Sequence, residues 1–344
     1  MKISKEAFQK ASIGLISHEQ AEAIWKSLEE NDPVQPKFDL ANIAYYFGAL
    51  TVISAMGWFM TQAWEQFGGG GIFVISTIYA ICFNLTGWTF WKKEHLKIPG
   101  GLLFTMAVSM TPLALYGLER LAGIWPQGDP GAYSGYHIWV KGSWFLLEVG
   151  TIIVGIMTLW FIRFPFLMAP IAFSLWYLSM DLTPLLFGQT EFSWNERLWV
   201  SLYFGLAMLL GSYFIDHRTK KDFAFWLYLF GMMAFWGGLS LMENQGEVQK
   251  FLYCLINIGL MVVSVLLDRR VFIIFGSVGV FGYLGHLAQR VFKDSLMFPF
   301  VLTLMGILII YLGTLYQRNR QSIENSILGF IPDCLRKLLP KERT

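Results

Sequence analysis

The chain has 344 residues, of which 55% are hydrophobic and only 15% charged, with a net charge of +2 and a mean hydropathy of +0.49. Soluble domains carry about 25% charged residues, so this composition excludes a large water-soluble core and points to a membrane protein. Cys82, Cys254 and Cys334 are scattered and form no CxxC pair, which excludes a disulfide framework and a cysteine zinc site.

The N-terminal MKISKEAFQK is polar, so no cleavable signal peptide is expected and the first apolar segment acts as an anchor. Residues 1–38 read as a short cytoplasmic helical hairpin and linker. Ser17 and Gln20 have the spacing of a capping box, and Ala21, Ile24, Trp25 and Leu28 share one helical face. Two uses of residues 1–36 stay open: packing on the inner face of the membrane, or docking a cytosolic protein. Pro33 and Pro36 mark the linker that follows.

Residues 39–316 contain ten apolar segments of membrane-spanning length, near 42–64, 71–91, 100–122, 143–162, 164–187, 197–216, 223–242, 249–267, 271–291 and 295–316. The expected fold is therefore all-α, a polytopic membrane helix bundle. The glycine run 67–71 is a turn, because it lacks the Lys and Ser/Thr of a phosphate-binding loop. Spans one to four share local patterns with spans seven to ten, including a Phe-Gly at 47–48 and 230–231 and an Asn near a Cys at 84 and 257. A parallel 4+4 repeat with two spans between is expected from these matches. Asn84 and Asn257 read as hydrogen-bonding groups between helices, and Gly276, Gly279, Gly282 and Gly285 as a packing seam.

Charge alternates between successive connections. Twenty of the 26 Lys and Arg fall on the side that holds both termini, and six on the other. The positive-inside rule then places the N- and C-termini in the cytoplasm of a multi-pass inner-membrane protein. The tail, 317–344, is amphipathic, and Arg336, Lys337, Lys341 and Arg343 suit anionic lipid headgroups better than nucleic acid.

Ionisable residues inside spans are costly, and they usually face a bundle interior or a wet cavity. At a rise of about 1.5 Å per residue, Asp181 lies roughly 24 Å along its span from Pro165, in the outer part of a core about 30 Å thick. Glu148, Glu119, Arg120 and His286 fall in the same outer layer. Tyr116, Tyr177 and Tyr283 each precede a polar group by about one turn. The candidate ligand- or proton-binding residues are thus Asp181, Glu148, Glu119, Arg120, His286 and Tyr177. Interfacial pairing without function is the competing reading. The five histidines are dispersed, no nucleophile–base motif is present, and no catalytic residue, cofactor or metal site is expected.

The segments GLISHEQAEAI, FGALTVIS, KIPGGLLF, LALYGLER and the WPQGDP loop, with YLGH and GILIIYLG near the end, resemble the uncharacterised bacterial membrane proteins grouped as domain of unknown function 2157. The similarity is strongest over about residues 10–160. It implies fold and location and carries no activity. The leading functional expectation is a permease-like protein that moves a small solute or ion through an outward-facing polar cavity. The alternatives are a non-transporting scaffold or sensor in envelope assembly or stress and, more remotely, an intramembrane enzyme acting on lipid-linked substrates.

Overall fold

The computed structural model describes residues 8, 12, 16–17, 19–24, 40–63, 67–125, 144–187, 194–219, 221–242, 246–292, 299–300, 303–304, 306–307, 311, 314 and 318. Ten α-helices follow in chain order: α1 (Leu40–Ala63), α2 (Gly68–Trp91), α3 (Lys97–Ser109), α4 (Thr111–Leu121), α5 (Phe145–Phe161), α6 (Met168–Phe187), α7 (Trp194–Arg218), α8 (Phe225–Leu241), α9 (Glu247–Leu267) and α10 (Arg270–Phe292). No strand occurs among the described residues. Among the described residues six segments are long and apolar enough to cross a membrane, and α5 and α8 are shorter apolar helices. The fold is a helical membrane bundle.

Contacts divide the chain at Leu50/Thr51, within α1. In the first unit, Ser17 and Gln20 form the capping box their spacing predicts. The Ser17 N–H donates to Gln20 Oε1 at 3.1 Å, and the Gln20 N–H donates to Ser17 Oγ at 3.2 Å. The rest of the hairpin, most of span ten and the basic tail lie outside the described residues, and the 4+4 repeat stays an expectation.

In the second unit the helices pack in series. A cluster of Ile72, Leu113, Tyr116 and Leu147 joins α2, α4 and α5. Met168, Ile171, Ala172, Met208 and Leu227 join α6, α7 and α8. Leu209, Tyr228, Met232, Leu260 and Phe272 join α7, α8, α9 and α10. Many large apolar side chains point outward, among them Ile81, Leu85, Trp160, Phe214 and Phe281. A lipid-facing surface accounts for that distribution without a second protein layer.

The third span differs from the continuous helix expected over 100–122. It breaks at Met110 into α3 and α4, with Pro112 in the first turn of α4. Proline has no N–H to donate and its ring crowds the carbonyl four residues earlier, so it suits the start of a helix better than its middle. After the break, Gly117 lies against α2. A Cβ at Gly117 would sit 2.5 Å from the Phe73 amide nitrogen and 2.9 Å from its Cα, so only glycine allows this crossing.

The two intramembrane asparagines have different roles. Asn257 is fully buried; its Oδ1 accepts from Trp236 Nε1 at 3.0 Å and its Nδ2 donates to the Tyr253 carbonyl at 2.8 Å. It thereby ties α8 to α9. Gly279 of α10 lies directly over the Asn257 amide, in space that any side chain would fill. Asn84 instead donates to the Ala80 carbonyl of its own helix and is exposed. Along the glycine series of α10, Gly276 and Gly279 meet α9, whereas Gly282 and Gly285 face open space. Asn257→Ala should cost about 1–3 kcal/mol, because it leaves the Trp236 N–H without its acceptor in a buried setting. Thermal unfolding in detergent checks this, and Asn84→Ala in the same assay should be near neutral.

Candidate functional site

The site lies between α5 and α6. Ile162–Phe164 and a 3₁₀ turn, Pro165–Leu167, join these helices. The Leu167 N–H donates to the Phe164 carbonyl at 3.1 Å, and the buried Phe164 ring packs edge-on against Trp91 and over Gly101. This anchored turn sets the register of an antiparallel pair. Gly155 meets Ile171 near the turn, and farther along Glu148 meets Asp181. Helical side chains lean toward their own N-terminus. In antiparallel neighbours that lean brings the Glu148 and Asp181 carboxyls toward each other across their axial offset.

Both residues are enclosed, with Glu148 5% and Asp181 2% exposed. Their carboxyls are close enough for each to act on the other. An ionised carboxylate only accepts, however, so two ionised groups cannot satisfy each other. Accordingly, Glu148 Oε1 and Oε2 and Asp181 Oδ2 have no donor among the described residues. Arg197, in the first turn of α7, is close enough for its charge to act on Asp181. Thr151 Oγ1 and Ser179 Oγ, both on buried residues, donate to the carbonyls of Leu147 and Trp176, each at 2.6 Å.

The other candidates divide between this neighbourhood and a separate cluster. Tyr177, one turn before Asp181, stacks on Trp144, one turn before Glu148, with ring centroids 6.5 Å apart and planes 11° from parallel. Glu119 is buried near the end of α4, and its Oε1 has no donor among the described residues. The tyrosine one turn before it pairs with the next residue instead: Arg120 Nη1 donates to Tyr116 Oη at 3.1 Å. His286 is elsewhere, on α10 facing α9. Its Nε2 lies 3.0 Å from Lys250 Nζ and 3.8 Å from Glu247 Oε1, and Glu247 also pairs with Arg290.

A groove of about 210 Å³ lies away from the pair, between α2 and the α3–α4 break. Its lining includes Thr77, Asn84, Met110 and Thr111 and neither carboxylate of the pair. No cluster of three or more His, Cys, Asp or Glu able to hold a metal occurs among the described residues.

One charged cluster has no counterpart among the sequence-based candidates. Asp268 caps α9 in the left-handed region (φ 50°), which Asp tolerates better than most residues. The turn is held by the Arg269 N–H donating to the Ser264 carbonyl at 3.1 Å and by Ser264 Oγ donating to the Arg269 carbonyl at 2.9 Å. It aims Arg269 back toward α7. There the guanidinium forks onto Asp216, with Nη2 to Oδ1 at 2.5 Å and Nε to Oδ2 at 3.0 Å. Nη1 bonds both oxygens of Asp222, at 2.9 and 2.8 Å. Burial opposes the Arg269 charge, but hydrogen bonds to Asp216 and Asp222 outweigh it and hold its pKa above the usual arginine value. Its guanidinium also lies 5.5 Å from the Tyr228 ring. The cluster clamps the α7–α8 and α9–α10 connections together. The available signal was an acidic residue at the end of one apolar segment, Asp216, and an arginine between two others.

Fold and site together define a multi-pass helical membrane protein with a buried carboxyl pair between two adjacent helices. Residues 11–117 match the family model described as Predicted membrane protein (DUF2157), the family the sequence resembles. The match ends within α4, before Glu148 and Asp181. No curated protein and no solved structure matches the chain.

Proposed function

We propose that the protein is a permease-like component of the bacterial inner membrane that moves a small solute or ion past Glu148 and Asp181. The observation that carries this reading is the pair itself: two facing carboxyls, buried within a membrane bundle, with oxygens that no donor among the described residues satisfies. Structural carboxylates in such a setting are ordinarily satisfied by a donor, whereas intramembrane ionisable groups in pathways serve a passing ion or solute.

With the basic connections in the cytoplasm, α5 begins on the outer side and the pair lies in the outer part of the bilayer. The Arg269 clamp then lies at the cytoplasmic ends of α7 and α9. Arg197 gives the pair a cationic neighbour and Tyr177 stacks on Trp144 one turn away, whereas His286 serves a different helix pair.

Purified protein in proteoliposomes tests this by solid-supported membrane currents and by uptake. The panel is protons, Na⁺, K⁺, ammonium, neutral amino acids and simple sugars. At least one is expected to move in the wild type and to stop moving in Asp181→Asn of unchanged size-exclusion profile. A well-folded wild type that passes none of them, or a variant that passes them equally, contradicts the reading.

A further inference from the structure

We propose that Glu148 and Asp181 together hold one exchangeable proton, and that this proton is the ion the site moves or couples to its solute. The role in transport rests on the permease reading; the bound proton does not.

A buried facing carboxyl pair can be satisfied by a metal ion, by a cationic side chain or by a proton. Metal ions need many oxygens: Ca²⁺ takes about 6–8 and Mg²⁺ about six. Sodium sites in transporters draw on carbonyls freed where helices unwind. Here α5 and α6 are helical through both positions, so their carbonyls are committed to the helix except that of Met180, which Pro184 cannot serve, and one freed carbonyl beside two carboxyls falls short of such a shell. The Glu148 N–H itself donates to the Trp144 carbonyl at 3.0 Å. The hydroxyl protons of Thr151 and Ser179 also go to backbone. No third carboxylate, histidine or cysteine joins the pair among the described residues. A nearby guanidinium further disfavours a second cation.

Among the described residues a cationic side chain acts on one carboxyl only. Arg197 influences Asp181, yet Glu148 Oε1 and Oε2 and Asp181 Oδ2 receive no donor among the described residues. The other helices packed on α5 and α6 supply little charge. α4 brings Glu119 and Arg120, whose guanidinium bonds Tyr116. The one charged residue of α3 is Lys97, paired to Glu94 at 2.6 Å. α8 has no charged residue, and its Tyr228 faces Phe272 and Arg269. Tyr177 on α6 is engaged with Trp144.

One proton resolves the arrangement. It makes one carboxyl a donor and leaves the other an acceptor, the logic by which two neighbouring carboxylates share a site. The pair then carries one negative charge in place of two, within reach of the Arg197 guanidinium. Release breaks one carboxyl O–H bond and passes the proton to water on the open side; uptake re-forms it. The fully ionised pair, with two negative charges side by side, is tenable only while water reaches it. Loss of the proton is thereby tied to access.

Infrared difference spectroscopy on the full chain reconstituted in lipid, in sodium-free buffer at neutral pH, tests the bound proton without any transport assay. The expected result is a protonated-carboxyl C=O band that shifts in D₂O and fades reversibly as pH rises. That band should be absent from the Glu148→Gln/Asp181→Asn double variant. Absence of the band from the wild type, its persistence in the double variant, or its removal by added Na⁺ at constant pH overturns the inference. A band present in a protein that moves nothing across the panel retains the bound proton and removes its transport role together with the permease reading.

Discussion

Arg269→Met is expected to lower stability by about 3–5 kcal/mol, because it strands a carboxylate that the fold has buried for an ion pair. The Asp216 side chain is only 3% exposed and that of Arg269 12% exposed, so water replaces little of what the substitution removes. The lost guanidinium also held two connections together, through Asp216 at the end of α7 and Asp222 beyond it. Asp222 gives the internal comparison. Its side chain is 43% exposed, so Asp222→Asn should cost only about 0–1 kcal/mol, in the range of solvated ion pairs. Thermal unfolding of both variants in one detergent decides the matter. A shift for Arg269→Met no larger than that for Asp222→Asn contradicts the assignment of Arg269 as the centre of the clamp.

The residues of this clamp show why it was not legible in the sequence. Asp216 and Arg269 are 53 positions apart. In the linear chain Arg269 is one basic residue in a connection between two apolar segments, and nothing in its spacing separates it from Arg270 beside it. Its role comes from the left-handed Asp268, which redirects the chain between two helices. Such a turn depends on backbone conformation that hydropathy does not encode.

Hydropathy did locate the helices, because a bilayer requires long apolar segments whose backbone hydrogen bonds are satisfied internally. It missed the break at Met110, since apolar residues continue on both sides and only Pro112 signals it. The asparagines illustrate a second limit. Asn84 and Asn257 occupy similar sequence surroundings, but only Asn257 has a glycine facing it across a helix crossing, and only Asn257 is buried.

The same distinction separates the polar candidates. The rise per residue gives depth in a membrane and so groups Asp181, Glu148, Glu119, Arg120 and His286 in one layer. Depth does not say which way a side chain faces. Glu148 and Asp181 meet because a short anchored turn joins their helices, whereas His286 turns to Lys250 on the neighbouring α9. Arg197 belongs beside the pair, but in the sequence it is one of several polar residues that precede α7 or begin it.

The proposed site requires Glu148 and Asp181 to act as one unit. Groups that act as a unit give non-additive losses, so removing either costs about as much as removing both. Glu148→Gln and Asp181→Asn suit the test because each amide supplies a permanent N–H donor to the remaining carboxyl. Each should keep the fold, with stability within about 1 kcal/mol of the wild type, the size of one net hydrogen bond. What each removes is the exchangeable proton. The direct measurement is the transient current in solid-supported membranes after a pH step, for the wild type, the two single variants and the double variant. The expected result is a wild-type current that either substitution abolishes as fully as the two combined. A current retained in either single variant, or a wild-type trace indistinguishable from protein-free liposomes, would contradict it.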